Sequence, residues 1–391
     1  MESGRKVRYV YADNAATTQM RELVLNKMLP YLTEFYGNPS SIYKIGGTAK
    51  KAVEDSRNTV AKILNVLPRE IYFTSGGTEA NNWAIKGIAS ANKKKGRHII
   101  TSKIEHHAVL RPCEELEKQD FELSYLGVDK TGLVSVDELK NEIRDDTVLV
   151  SIMAANNEIG TIQSVNEIGK ICHEKGVLFH TDAVQAVGHI PIDTSNIDLL
   201  SLSAHKFGGP KGVGVLYIKK GVKVNNIIDG GGQERDKRSG TENVASIVGL
   251  AAALELASGE IESESKRLCE MRNEIIKKVL TIDKVYLTGS SEYRLPGIAS
   301  FIIEGIEGES IVLTLEAKGI SSSSGSACST ASLDPSHVLT SIGLPHEAAH
   351  GSLRLSFGKN NTIEDVDYIF EALKETVEKL RKMSPVWNGG I

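Results

Sequence analysis

Cysteine is scarce: the 391 residues contain four, Cys113, Cys172, Cys269 and Cys328, far apart and without a CxxC pair. That pattern excludes a disulfide framework and a zinc ribbon, so each is expected as a free thiol. Long apolar runs are missing as well. Nothing in the sequence reads as the ~18 apolar residues of a spanning helix. The start, MESGRKVRYVYADNAATT, has basic residues but no apolar secretion core. A cytoplasmic chain away from the membrane is expected. Nor does one sign of charge dominate, since Lys+Arg 46 against Asp+Glu 50 leaves −4 with no long basic block. Nucleic acid and anionic membrane are therefore poor partners. Neither GxxxxGK[ST] nor GxGxxG occurs, which weakens a nucleotide reading, and no internal repeat is found.

What is present is ordinary globular composition, 40% hydrophobic and 25% charged, in a chain longer than the ~100–200 residues of one typical domain. From about residue 70 to 220, short β-branched runs (IYFTS, RHIITS, TVLVSIMA, VLFHTDA, IDLLSLSA, VGVLYIKK) alternate with helical patterns. Apolar runs each followed by a helix specify an α/β domain with a large, doubly wound, mainly parallel sheet. In such sheets ligands sit outside the carboxyl ends of the strands, where the polar clusters SGGTEA, HTDAVQ and SAHK fall. A glycine cluster at Gly230 to Gly232 precedes RSGTEN and a long helical stretch from about Asn243 to Leu280. KVYLTG, GIASFII, a helix near 310–317, LRLSF and a last helix over 362–383 then read as a smaller α+β domain. The division is drawn at 15–260 for the large domain, with 1–14 and 261–391 forming the small one.

Ser75 to Ala80 end a strand and open a helix, where free N–H groups and glycines make either an anion cradle or a plain helix cap. Lys206, after the apolar strand ending at Ser203, stands where an amine can form an imine with a carbonyl cofactor; alone, it would read as a solvated surface lysine. Asp182 shifts the balance, because a carboxylate beside a pyridine nitrogen keeps it protonated. Cradle, acid and lysine in this order suggest pyridoxal phosphate. His106 and His107 open the next helical pattern, and one of them could stack on a flat cofactor and move protons; a surface pair is the plain alternative. Cys328 lies in SSSSGSACSTASLDPSH, a small polar run that suits a reactive thiol, whereas the other three cysteines sit among helical residues as fillers. His346 to His350 match HExxH, but Pro345 and Gly351 leave barely a turn of helix, and the structural reading is preferred to zinc.

Together, ADNAATT, GNPSS, SGGTEANN, EHHAVL, NNEIGT, DAVQAVG, SAHKFGGPKGVG, GGGQERDKRSGTEN and SSGSACS resemble, in order and over the whole chain, the cysteine desulfurase family. The SSGSAC segment is similar to the NifS/IscS branch. The resemblance implies a homodimeric fold-type I transferase that uses pyridoxal 5'-phosphate to take sulfur from L-cysteine, leaving L-alanine and a persulfide on Cys328. It implies that Lys206 holds the cofactor, Asp182 pairs with its ring nitrogen and His106 stacks on it. Asn157 and Gln185 would lie near its phenolic oxygen. Gly77, Thr78, Ser203 and His205 would bind its phosphate, with Thr241 reaching over from the other subunit, and Arg354 would grip the substrate carboxylate. An iron–sulfur scaffold or another sulfur acceptor is the implied partner. Ala204 and Gly208 depart from the family's usual glycine and tyrosine, and the tail after Met383 is shorter than in members that dock a scaffold with it. A selenocysteine lyase, another β-eliminating or transaminating enzyme, and a non-catalytic relay subunit stay open on sequence alone.

Overall fold

The computed structural model describes residues 8–325, 334–385 and 387. In chain order the first part comprises β1 (Val10–Tyr11), α1 (Glu22–Thr33), α2 (Lys44–Ile63), β2 (Ile71–Thr74), α3 (Gly77–Asn92), β3 (His98–Ser102) and α4 (His107–Glu117). It continues through β4 (Glu122–Leu126), α5 (Val136–Glu142), β5 (Thr147–Ser151), α6 (Val165–Glu174), β6 (Leu178–Asp182), β7 (Leu199–Ser203) and β8 (Gly214–Ile218). Strands β2 to β8 form one seven-stranded sheet in the order β2-β8-β7-β6-β5-β3-β4. Only β8 runs against its neighbours, pairing antiparallel with both β2 and β7. The carboxyl ends of the other six therefore share one edge.

The interior strands are buried on both faces, as their unbroken apolar runs require. Helices α3 and α4 cover one face through Trp83, Ile85, Ile88, Val109 and Leu116. The other face carries a larger core in which α1 and α2 participate. The sequence pattern assigns no element before residue 70, yet α2 buries Ala49, Ala52, Val53, Ser56, Arg57 and Val60. That is a helical i, i+3, i+4 stripe, made inconspicuous by its small and polar members.

The chain then passes through a left-handed turn labelled α7 (Gln233–Asp236), where Glu234, Arg235 and Asp236 have φ of 47°, 58° and 62°, into α8 (Val244–Val279), 36 residues long. An 18-residue window of α8 is apolar enough, by length and composition, to cross a membrane, contrary to the sequence reading. Its apolar residues instead enter the large core as far as Ala257, while Leu268, Met271, Ile275 and Val279 enter a second core. That second core lies about an antiparallel sheet in the order β12-β10-β9, made of β9 (Val285–Leu287), β10 (Ile298–Ile303) and β12 (Ser352–Ser356). Helices α9 (Gly308–Glu316) and α12 (Ile363–Met383) pack on it. β11 (Ile320–Ser321) pairs parallel with β1, tying the start of the chain to the small core. The short α10 (His337–Ser341) and α11 (His346–Ala349) complete the order. The HExxH motif is thus a single turn, with His346 and His350 rings 4.9 Å apart.

Candidate active site

The shared edge of the sheet opens on a cavity of about 310 Å³. Each loop leaving a strand supplies one piece of its wall. Gly77 and Thr78 come after β2, His106 after β3 and Asn157 after β5. Asp182 ends β6, Gln185 follows it, and Ser203, His205 and Lys206 close β7. Arg354 of β12, and Ala15 and Ala16 in the loop after β1, line the same space. Ten of the twelve site residues read from the sequence therefore meet in one place. Thr241 does not: it is exposed and lines a groove with Phe35, Tyr36 and Asn38. Cys328 lies outside the described residues.

Lys206 closes a 3-10 turn, Ala204 to Lys206, and its Nζ donates to the carbonyls of Ala15 and Ala16 at 2.6 and 2.8 Å. The imidazole of His189 donates from Nε2 to the Lys206 carbonyl at 2.9 Å, fixing that turn from behind. Asp182 is buried, with Oδ2 accepting from Asn81 Nδ2 at 2.6 Å and Oδ1 from the Val184 N–H at 3.0 Å. Two residues earlier on β6, His180 bonds Ser151 and Ser201, and burial pushes it down to about 3, so it is neutral. His106 caps α4, its Nδ1 accepting the Ala108 N–H at 3.0 Å. Burial holds its pKa below the usual histidine value, so the ring is neutral with its hydrogen on Nε2. His205 is lowered to about 4, by burial and then by Lys206 and Lys211.

At the cradle, Gly76 has φ +151, and a Cβ on Gly77 would stand 2.6 Å from Val184 Cγ2. Glycine at both positions lets the first turn of α3 approach the cavity with bare N–H groups. Arg354 is held by the Asn157 carbonyl at 2.9 Å and Asp13 Oδ1 at 2.7 Å, while its buried Nε has no partner among the described residues. Gly208, where the family often has tyrosine, has φ +84, and a Cβ there would meet Arg21 Cγ at 2.9 Å. Glycine and Arg21 are thus matched in this chain.

The class-V aminotransferase family matches residues 10–369. The cysteine desulfurase IscS of Methanosarcina thermophila is 59% identical over 379 residues, 96% of this chain and 94% of that one. The chain belongs to the cysteine desulfurases. The IscS of Clostridium botulinum (strain Hall) is 57% identical over 383 residues, covering 97% and 96% of the two chains. Among solved structures, a NifS-like protein superposes with TM-score 0.90 at 40% identity, over 95% of this chain and all of that one. A NifS-like protein from Rickettsia africae gives 0.86 at 31%, over 95% and 100%.

A desulfurase of this family uses pyridoxal 5'-phosphate, and the cavity fits it. A glycine cradle for a phosphate, a buried carboxylate for a ring nitrogen and a lysine amine line one space. The buried Oδ1 of Asn81 has no partner among the described residues, as does Arg354 Nε, which is how polar atoms awaiting a ligand look.

Several contributors escaped the sequence reading. Asn81 sits one helical turn after Gly77 inside the SGGTEANN motif, and that spacing was the available signal. Asp13 meets Arg354 across 341 positions, which no local pattern announces. Glu105, inside EHHAVL, is fully buried, with Oε1 accepting from Ser102 Oγ and the Met153 N–H. Burial raises its pKa to about 8, and the charge of Asp182 adds to the rise. At neutral pH Glu105 is therefore mostly protonated.

This has a stability consequence with a definite sign. A carboxyl held above its unfolded value of 4.5 contributes stability fully below that pH and loses it as pH rises toward 8. Glu105→Gln should flatten this decline. Each pKa unit is worth about 1.4 kcal/mol, and relaxation trims the total, so the variant should gain roughly 2–4 kcal/mol on the parent between pH 5 and 8. Denaturant unfolding at the two pH values measures it; parallel curves would refute the burial argument.

Proposed function

We propose that this chain takes sulfur from L-cysteine, releases L-alanine, and carries the sulfur as a persulfide on Cys328 to an acceptor in iron–sulfur cluster assembly or thiolation. The observation that carries the reading is the meeting of Lys206, Asp182 and an under-bonded Arg354 in one cavity. When bound, pyridoxal phosphate supplies a carbonyl to capture an amine and a protonated ring that delocalises an electron pair left at Cα.

The protein's own groups do the rest. Asp182 holds the charge opposite the ring nitrogen, kept in place by Asn81 and Val184. Gly77, Thr78, Ser203 and His205 would hold the phosphate, Asn157 and Gln185 would lie toward the phenolic oxygen, and His106 would stack as a neutral ring. Arg354 offers Nε to the substrate carboxylate while Asp13 and Asn157 prevent its fork from turning. The Lys206 amine takes the Cα proton. The Cys328 thiolate then attacks the substrate sulfur. An S–S bond forms as the substrate C–S bond breaks, the electron pair goes to the substrate carbon, and protonation there yields the methyl group of alanine.

The test is purified protein loaded with cofactor and given L-cysteine, L-selenocysteine or cysteine sulfinate. Alanine equimolar with sulfide in the presence of a thiol reductant is expected from cysteine. Faster turnover of selenocysteine without dependence on Cys328 would favour a lyase, and no alanine from any of the three would reject the reading.

The proposal includes a homodimer. Leu23, Leu29 and Leu32 on α1, with Tyr36, Ile42 and Tyr43 beyond it, are large apolar side chains left exposed. Such clustering marks a protein contact surface. The adjoining groove is lined by Leu32, Phe35, Tyr36 and Thr241, so a second copy seated there would receive Thr241 near its phosphate cradle. Leu29→Glu with Leu32→Glu should shift the mass measured by light scattering from two chains to one and weaken cofactor retention. A double variant that stays dimeric would rule this face out.

A further inference from the structure

Glu79 stands where a phosphate cradle has least use for a second negative charge. It is the third residue of α3, one position after Thr78, and a carboxylate at the positive end of a helix competes with an anionic ligand for that end. Its Oε2 accepts the Ser75 N–H at 2.8 Å. That bond ties down the residue before Gly76, whose φ of +151 suits glycine. The glycines face the cavity instead, since a Cβ on Gly76 would approach Ser203 Oγ at 3.7 Å, and Ser203 lines that space. Arg238 answers the charge from 159 residues away: its Nε donates to Glu79 Oε1 at 2.8 Å and its Nη2 to Oε2 at 3.0 Å. Both side chains are largely withdrawn from water, 9% exposed for the acid and 21% for the arginine.

The left-handed turn α7 delivers this guanidinium. Glu234 receives both arms of Arg57 at 2.8 Å and the Phe73 N–H at 3.0 Å, and Arg235 donates to the Ile71 carbonyl at 2.6 Å. Three successive left-handed residues other than glycine cost conformational energy, which these bonds to β2 and α2 offset. Strand β2 therefore carries the cradle at its carboxyl end and, along its backbone, the turn that aims Arg238. Resting on the phosphate assignment made above for Gly77 and Thr78, we infer that Arg238 is a positioning residue for the cofactor: it cancels the Glu79 carboxylate and fixes it against Ser75, so that the first turn of α3 accepts a phosphate dianion. Burial works to raise the Glu79 carboxyl, but the bonds from Arg238 and Ser75 hold it below the ordinary value. The acid is thus ionised at neutral pH, and its charge has to be matched. A planar fork matches a carboxylate as the point charge of lysine does not.

Cofactor binding, rather than turnover, tests this. Full-length protein stripped of cofactor is titrated, by the change in absorbance, with pyridoxal 5'-phosphate and with pyridoxal, which lacks the phosphate. Arg238→Gln should weaken the phosphate form about tenfold or more, the scale of one charge-assisted bond, and pyridoxal by less than about twofold. Glu79→Gln, whose amide oxygen still accepts from Ser75, should bind pyridoxal phosphate at least as tightly as the parent. Arg238→Gln combined with Glu79→Gln should return to within about threefold of the parent, because neither charge is then left unmatched. Equal loss for both forms in Arg238→Gln would mark a structural bond and overturn the inference. So would parent-like affinity, or a double variant that stays weak, which is the result expected if Arg238 acted only by carrying Thr241. Thr78→Ala reads the cradle itself. If it leaves the phosphate form unweakened, the cradle assignment falls and takes this inference with it. If it weakens that form and Arg238→Gln does not, the assignment stands and the role of Arg238 does not.

Discussion

Replacing Lys206 by alanine should leave a protein that loses its visible absorbance on dialysis and forms alanine at least about a thousandfold more slowly, the scale of a lost proton-transfer group. Two roles sit on one nitrogen. In the proposed scheme the amine is the covalent anchor and also the base that reaches Cα. Its surroundings are built for it: the Ala15 and Ala16 carbonyls receive Nζ at 2.6 and 2.8 Å, and His189 braces the backbone carbonyl. Lys206→Arg keeps a cation in that place yet cannot serve as anchor or base, so it should fail equally. Absorbance after dialysis and alanine yield under single-turnover conditions provide the measurement. Colour retained together with turnover in Lys206→Ala would remove the central residue from the scheme.

Cys328→Ser should keep the cofactor's absorbance and its response to L-cysteine, but reduce both the protein-bound persulfide and sulfide release to background. The specificity follows from the other thiols. Cys113 and Cys172 are fully buried, and burial pushes Cys113 far above and Cys172 up to about 12 from the ordinary thiol value. Since the thiolate is the nucleophile, neither can substitute. Cys269 lies on α8 beside Leu268 of the second core and is not among the residues that line the cavity. Mass spectrometry of the cysteine-treated parent should therefore find one sulfur adduct, on the peptide holding Cys328. An adduct that persists on another cysteine in the serine variant would reassign the carrier.

Strand-ending motifs were the legible part of this chain. A parallel sheet delivers its ligand groups at strand ends, so SGGTEA, HTDAVQ and SAHK could be ordered around a ligand before any coordinates. The reversed strand β8 was illegible, because a buried strand has the same apolar pattern in either direction. So were α1 and α2, whose buried stripe includes Ser56 and Arg57; the arginine is neutralised by Glu234 at 2.8 Å, from 177 residues away. The supporting acids were hidden for the same reason. Asp13, Glu105 and Glu158 look like surface carboxylates until tertiary structure brings Arg354, Met153 and Ser336 to them. Motifs announce groups that face a ligand, whereas the groups that hold those in place are selected by partners that only folding supplies.

Helix α8 carries a practical lesson about dissecting this enzyme. Its 36 residues span about 54 Å at 1.5 Å per residue, and one unbroken rod furnishes a wall to each of two hydrophobic interiors. Scission anywhere along it strips one interior of its wall, while β1 and Asp13 already pin the opening strand of the chain to the far body. Halves expressed separately should therefore come out as insoluble fragments, and a reporter or affinity handle is better grafted into a surface turn than placed at a supposed domain joint.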